Sequence, residues 1–342
     1  MPGTRERGRA IRRFILERVD SNRKSIAQLT ATHFDISRQA AHKHLQRLVR
    51  EGLLTVEGTT RNRRYALAVL HEESIFVPLT STTAEDRVWR EQIAPLLSDL
   101  PQRAKEIWQY GFTEMLNNAI DHSSGTIVYV SVERTALSVR IYLIDDGEGI
   151  FRKIQRELDL LDERHSVLEL AKGKLTTDPD HHTGEGIFFT SRMFDEFYIR
   201  SGEVFFSHQN PINEDWILET SPLSGTGVFL TLSNDTERTT KEVFDEFASG
   251  ADYGFSKTVV PVHLVRYGDE ALISRSQAKR LLTRFERFRT VILDFEGVEQ
   301  IGQGFADEVF RVFARAHPDT ELVSINENAQ VRAMIGRVNS TG

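Results

Sequence analysis

Three glycine-rich blocks in the middle of the chain constrain its fold more than any other feature. They are Asp145-Asp146-Gly147-Glu148-Gly149-Ile150, His182-Thr183-Gly184-Glu185-Gly186-Ile187 and Gly225-Thr226-Gly227-Val228-Phe229-Leu230-Thr231-Leu232. The first follows two alternating apolar segments, 126–132 and 137–144, which read as paired strands. An acid at a strand end followed by two spaced glycines makes a tight turn where backbone can approach a flat ring closely. The second block opens an apolar helical run at 188–194. Glycines at a helix start expose free N–H groups and about half a positive charge to a phosphate. The third block reads as a closing strand.

Upstream, residues 107–122 read as one helix containing Phe112-Thr113-Glu114-Met115-Leu116-Asn117-Asn118-Ala119-Ile120-Asp121-His122. Glu114 and Asn118 are four apart and share one face, which Asp121 and His122 extend. Phe112, Met115, Leu116 and Ala119 form the core-facing side. A carboxylate one turn before a carboxamide suits Mg-nucleotide chemistry. The amide oxygen is a hard ligand for Mg²⁺, and the carboxylate orients and deprotonates a water.

In this order, "ExxNNAIDH", "DDGEGI", "TGEGI" and "GTGVFLTL" resemble the motif blocks of the GHKL (Bergerat-fold) ATPases, of the histidine-kinase and anti-sigma-kinase type, over about 105–235. The resemblance implies a Bergerat-fold α/β sandwich at 106–240 with an ATP lid at about 151–183, and ATP and Mg²⁺ as cofactors. It assigns Asn118 to Mg²⁺, Asp145 to the adenine amino group and Glu114 to the general base. Gly147 and Gly149 would shape the base pocket, with Asp121 and Ile150 in the nucleotide-binding set. Gly184 and Gly186 would line the phosphates, and Thr226 would support the adenine site. The lid is expected to be helical over 157–174. Its Lys172 and Lys174 either reach the phosphates or, the more ordinary expectation, lie on a solvated face. His181 and His182 read as loop residues.

Charge sets the first 70 residues apart. They hold 15 Lys/Arg against 6 Asp/Glu, a balance of +9, whereas the whole chain is −7. A basic head on an acidic body predicts that the head alone meets nucleic acid. Ile11, Phe14, Ile15 and Val19 have helical spacing, and a second short helix starts at Ser25-Ile26-Ala27. After a turn at 33–36, Ser37 is the expected N-cap of a third helix over 38–48, with Ala41, Leu45 and Leu48 inward. Two strand-like pieces, 55–57 and 64–67, follow. This order resembles a winged helix-turn-helix, which implies DNA binding through residues 1–70. Arg38, Gln39, His42 and Lys43 would reach base edges from the helix, and Arg61, Arg63 and Arg64 would contact the backbone from the wing. Residues 71–105 read as a connector with an extended piece at 75–79 and a helix around 86–97.

From about 255 to 342, strands and helices alternate: strands at 259–267, 290–295 and 321–325, and helices at 274–288, 304–314 and 329–338. That alternation implies a small α/β layer. The segment "TVILDFEGVEQIGQGFADEVFRVF" resembles STAS-type domains, in which a strand ends in Asp and a loop leads into a helix. Anti-sigma antagonists of that fold carry a phosphorylatable hydroxyl in the loop. Here it is Gln300-Ile301-Gly302-Gln303-Gly304-Phe305, without one. Docking or dimerisation is the expected role.

The fold class expected is therefore multidomain α+β: winged helix-turn-helix, Bergerat-fold sandwich, then STAS-like domain. With no cysteine, disulfides and thiolate metal sites are excluded. No apolar run of ~18 residues is present, so no membrane span is expected, and the setting expected is cytoplasmic. Two functions follow. One is a DNA-binding regulator switched by Mg-ATP; the other is an ATP-dependent serine/threonine kinase acting on a STAS or other regulatory partner. Both resemblances imply a homodimer.

Overall fold

The computed structural model describes residues 4–59, 62–175, 184–210, 214–248, 254–266 and 270–340. The chain divides into two compact units. One comprises residues 1–75, 130–142 and 231–236, the other 76–129, 143–230 and 237–342.

The first unit begins with α1 (Thr4–Arg18), α2 (Ile26–Phe34) and α3 (Arg38–Arg50), then a hairpin of β1 (Leu54–Glu57) and β2 (Arg64–Leu67). Ile11, Ile15 and Val19 are buried against Ile26, Leu45, Leu48, Leu54 and Tyr65. Each such side chain contributes about 1.5–3 kcal/mol of transfer free energy. Phe14 lies at the margin of this core and stacks on His33 at 4.3 Å. The turn expected from residue 33 starts later. Asp35 adopts the left-handed conformation (φ 50°) and its N–H bonds to the Ala31 carbonyl, so α2 runs through Phe34. Ser37 caps α3, its Oγ accepting the Ala40 N–H at 3.1 Å. The hairpin is antiparallel, with Leu54 opposite Leu67 and Glu57 opposite Arg64.

Five strands form one sheet in the order β3-β4-β5-β7-β6. They are β3 (His71–Pro78), β4 (Ile127–Arg134), β5 (Ser138–Asp145), β6 (Glu196–Gln209) and β7 (Glu214–Ser233). The extended connector piece thus starts at His71 rather than at 75. The connector helix is broken into α4 (Glu85–Val88), a π turn (Trp89–Ile93) and a 3-10 turn (Ala94–Leu97). Pro95, with no N–H to give, sits in the last of these. The long helix α5 (Gln102–His122) begins five residues before the expected start. It buries Phe112, Met115, Leu116 and Ala119, as the spacing predicts.

The lid expected as one helical stretch is two helices, α6 (Ile150–Leu158) and α7 (Glu163–Lys172). Asp159, left-handed at φ 50°, ends α6, and Asp162 caps α7 by accepting the His165 N–H at 2.8 Å. Next come α8 (Gly186–Met193) and, after β6 and β7, α9 (Thr240–Phe247). Helices α5 and α8 approach closely at Gly111, where a Cβ would lie 2.3 Å from the Phe194 ring.

The C-terminal layer is a parallel sheet in the order β10-β9-β8, from β8 (Lys257–Pro261), β9 (Thr290–Asp294) and β10 (Glu321–Ile325). Its first strand stops at Pro261, short of 267, and turns into a 3-10 segment. Between and after the strands lie α10 (Arg275–Leu282), α11 (Gln303–Asp307), α12 (Ala314–Ala316) and α13 (Ala329–Ser340), α11 and α12 being joined through a π turn. The expected helix over 274–288 ends at Leu282, because Thr283 is extended and Arg284 is left-handed at φ 64°.

Candidate functional site

Residues from several distant stretches line one cavity of about 310 Å³ in the second unit. Its apolar walls include Val128, Leu143, Ile199 and Val228, and its polar groups include Glu114, Asn118, Asp145 and Thr226. A concave pocket with apolar walls and convergent polar groups is a candidate small-molecule site.

Asp145 ends β5 almost fully buried. Its Oδ1 accepts the Gly147 N–H at 2.9 Å and the Thr226 N–H at 3.1 Å. Burial pushes this carboxyl above the usual carboxylate range, against the pull of those two N–H groups. Gly225 is the position that permits the arrangement. It has φ +76°, and a Cβ there would lie 2.0 Å from the Asp145 carbonyl oxygen. Thr226 also accepts the Ile150 N–H on Oγ1 at 3.0 Å, tying the start of α6 to β7. The neighbouring Asp146 points elsewhere. It accepts the Thr126 N–H at 2.7 Å, the Ile127 N–H at 3.0 Å and the Thr126 hydroxyl at 2.6 Å, which hold its carboxyl down to about 2.

Glu114 and Asn118 enter from α5. The first residue of α8 is glycine because the Glu114 carboxylate takes the space of its side chain: a Cβ on Gly186 would lie 2.0 Å from Oε2. The carboxylate therefore lies against the start of a helix, where partial positive charge gathers. Tyr110 lies nearby, and its phenol is raised by burial and by the charges of Glu114 and Glu185. Burial raises Glu185 too, with Lys174 offsetting part of it. Asn118 is half-buried, with its Nδ2 atom buried and without a hydrogen-bond partner. Among the described residues no three His, Asp or Glu side chains cluster to hold a metal. The Asn118 amide oxygen is of the hard type that could serve a divalent ion as a single protein ligand.

The other expected site residues divide. Ile150, Gly184 and Gly186 line the cavity, whereas Asp121, Gly147 and Gly149 do not. Asp121 is exposed in the last turn of α5. Gly147 acts behind the wall: a Cβ there would lie 2.1 Å from the Ser123 carbonyl. Gly149 likewise packs against Ser201. Asn117 and His122, which lie in the helical block without an assigned role, also line the cavity, as do Ser123 and Lys153, which lie outside every block. Helical spacing carried the signal for Lys153, which falls three residues after Ile150 on α6. His181 and His182 lie outside the described residues, as does Arg61. In the first unit Arg38, Gln39, Lys43, Arg63 and Arg64 are exposed and His42 half-buried.

The lid lysines correct an expectation. Lys172 is neither solvated nor directed at the cavity; it is 1% exposed. Its Nζ meets Glu169 Oε1 at 2.6 Å and donates to the Thr283 carbonyl at 2.8 Å and the Arg280 carbonyl at 3.4 Å. Glu169 also lies 3.6 Å from Arg284 Nη1, and Arg284 donates to the Lys174 carbonyl. Lys174 Nζ donates to the Arg287 carbonyl at 3.1 Å and lies 5.1 Å over the Phe288 ring. Both cations hold α7 to the segment after α10. Leu170 and Leu175 on either side of them line the cavity, so one of its walls is anchored in the C-terminal layer.

Residues 277–332 match a family model described as a STAS-like domain of unknown function (DUF4325). The C-terminal layer is a STAS-like domain. The match spans β9 and β10, and it begins within α10 and ends within α13, so it speaks for that domain alone. No curated protein matches the chain. No helix among the described residues is long and apolar enough to cross a membrane. A STAS-like domain fits a regulatory role, and the residues that grip α7 belong to it.

Proposed function

We propose that the chain is an ATP-binding, DNA-binding regulatory protein in which Mg-ATP binding or hydrolysis in a GHKL-type domain switches DNA or partner binding. One observation carries the reading: Glu114, Asn118, Asp145, Gly184, Gly186 and Thr226, taken from four separate sequence blocks, surround one cavity. In this reading Asp145 accepts from the adenine amino group, held in place by Gly147 and Thr226. The Asn118 amide oxygen would hold Mg²⁺, which would supply the positive charge that an acidic body lacks. Glu114 orients and deprotonates the attacking water, and the N-terminus of α8 receives the phosphates. The grip of the STAS-like domain on α7 supports coupling, since any movement of that wall on nucleotide binding strains the Lys172–Glu169–Arg284 contacts. The exposed basic residues of α3 and the hairpin support DNA as the output.

The test is a calorimetric titration of the full chain with MgATP, followed by DNA binding with and without saturating MgATP. Binding of ATP together with a changed DNA affinity supports the proposal; absence of nucleotide binding refutes it. A second reading, a serine/threonine kinase acting on a STAS partner, is favoured by the STAS-like domain itself. Labelled phosphate appearing on a STAS protein, rather than free in solution, selects it.

A further inference from the structure

A bound nucleoside triphosphate brings several negative charges into a cavity already lined by the Glu114 and Asp145 carboxylates. The lid lysines do not answer that charge, because both are engaged with carbonyls of the STAS-like domain. Residues 176–183, Thr-Thr-Asp-Pro-Asp-His-His-Thr, hold no Lys or Arg. Among the described lining residues, Lys153 is the one Lys or Arg.

Its setting suits an anion. The side chain is 16% exposed and lies 4.0 Å from Glu157 Oε1. Nζ donates to the His122 carbonyl at 2.8 Å, which fixes the ammonium at the C-terminal end of α5. An ammonium has three protons to give, and this carbonyl takes one. Position along the helices says which part of a nucleotide it meets. Glu114, Asn118 and His122 follow one another on α5 at steps of about 6 Å, so Lys153 is one step beyond the metal-side residue Asn118. On α6 it is one turn from Ile150, whose N–H is tied to Thr226 and through it to Asp145. Lys153 therefore stands between the base end and the metal end of the cavity.

We propose that Lys153 is the phosphate-binding cation of this pocket and contacts the phosphate nearest the ribose. The assignment rests on the nucleotide reading above and adds to it a residue that the motif blocks do not contain.

The experiment is calorimetric titration of the full-length chain and of Lys153→Met and Lys153→Arg with adenosine, AMP and MgADP. Lys153→Met is expected to weaken AMP and MgADP by about tenfold or more, the scale of a charged hydrogen bond, and to leave adenosine unchanged. Lys153→Arg is expected to keep most of the AMP affinity. Equal weakening of all three ligands would overturn the proposal, since it reports only the loss of the His122 contact. Unchanged affinities in Lys153→Met overturn it as well, while the nucleotide reading stands. If the wild-type chain binds none of the three, the nucleotide reading itself falls and the assignment with it.

Discussion

Asp145 and Asp146 are adjacent in sequence, yet their carboxyls are driven in opposite directions, the first up by burial and the second down to about 2 by three hydrogen bonds. Their pH signatures are therefore opposite. The stabilisation linked to Asp145 is present below the ordinary carboxylate range and is lost as pH rises through its raised folded value. That of Asp146 is present above the ordinary range and is lost as pH falls toward 2. At any pH above that raised value the ionised Asp145 carboxyl costs stability, as a carboxylate kept for ligand binding would. Asp145→Asn keeps an Oδ1 acceptor for Gly147 and Thr226 but removes the buried charge. A raised thermal midpoint at pH 7 together with weaker adenine nucleotide binding is the expected pair of results. Unchanged affinity would count against the adenine contact. For Glu114→Gln, ATP binding should persist while turnover falls ~10²-fold or more, the scale of a positioned base; steady-state phosphate release measures it, and undiminished turnover removes Glu114 from that role.

At the scale of elements, α7 is where reading the sequence ran furthest from the structure. A stretch ending Leu-Glu-Leu-Ala-Lys-Gly-Lys reads as solvated because Lys and Glu are seldom buried unless paired. Here Glu169 and Lys172 pair with each other across one turn, and they and Lys174 are also held by partners more than a hundred residues away (Thr283, Arg284 and Arg287), which no local pattern displays. Although burial pushes the Glu169 carboxyl up, Lys172, His165 and Arg284 together hold it below its ordinary range. Removing one member leaves a buried charge exposed to its desolvation cost. Glu169→Gln should destabilise by about 3–5 kcal/mol, and adding Lys172→Met should recover part of that loss in denaturant unfolding. If the single substitution is neutral, the contact holds nothing in place. By contrast α3 was legible residue by residue: the Ser37 cap, the buried Ala41, Leu45 and Leu48, and the exposed Arg38, Gln39 and Lys43 all follow from local rules. On the hairpin, Arg63→Ala and Arg64→Ala should each lower the slope of log DNA affinity against log salt by about one. Unchanged slopes would remove the hairpin from the DNA contact.

For the whole molecule, the +9 balance of the first 70 residues and the acidic remainder set a clear expectation. A nucleotide can shift DNA binding only by binding one state of the protein better than the other. Saturating MgATP should change both the apparent DNA affinity and its salt slope, and the Glu169→Gln chain, with its lid anchor weakened, should lose much of that change. Identical DNA binding with and without MgATP would end the switch while leaving the nucleotide site intact.

The sequence by itself determined the element types, the N-terminal core, the glycine turns and the STAS-like layer. These depend on local quantities: apolar period, capping side chains, and the steric freedom of residues such as Gly225. Only the tertiary structure decided which motif residues meet in the cavity, and that Asp121, Gly147 and Gly149 stand outside its lining. It alone placed Lys172 and Lys174, expected on a solvated lid face or at the phosphates, against the STAS-like domain, and put Lys153 in the pocket. The physical reason is that a charged side chain's role is set by what opposes it across the fold, and those partners come from distant stretches of chain that hydrophobic burial brings together.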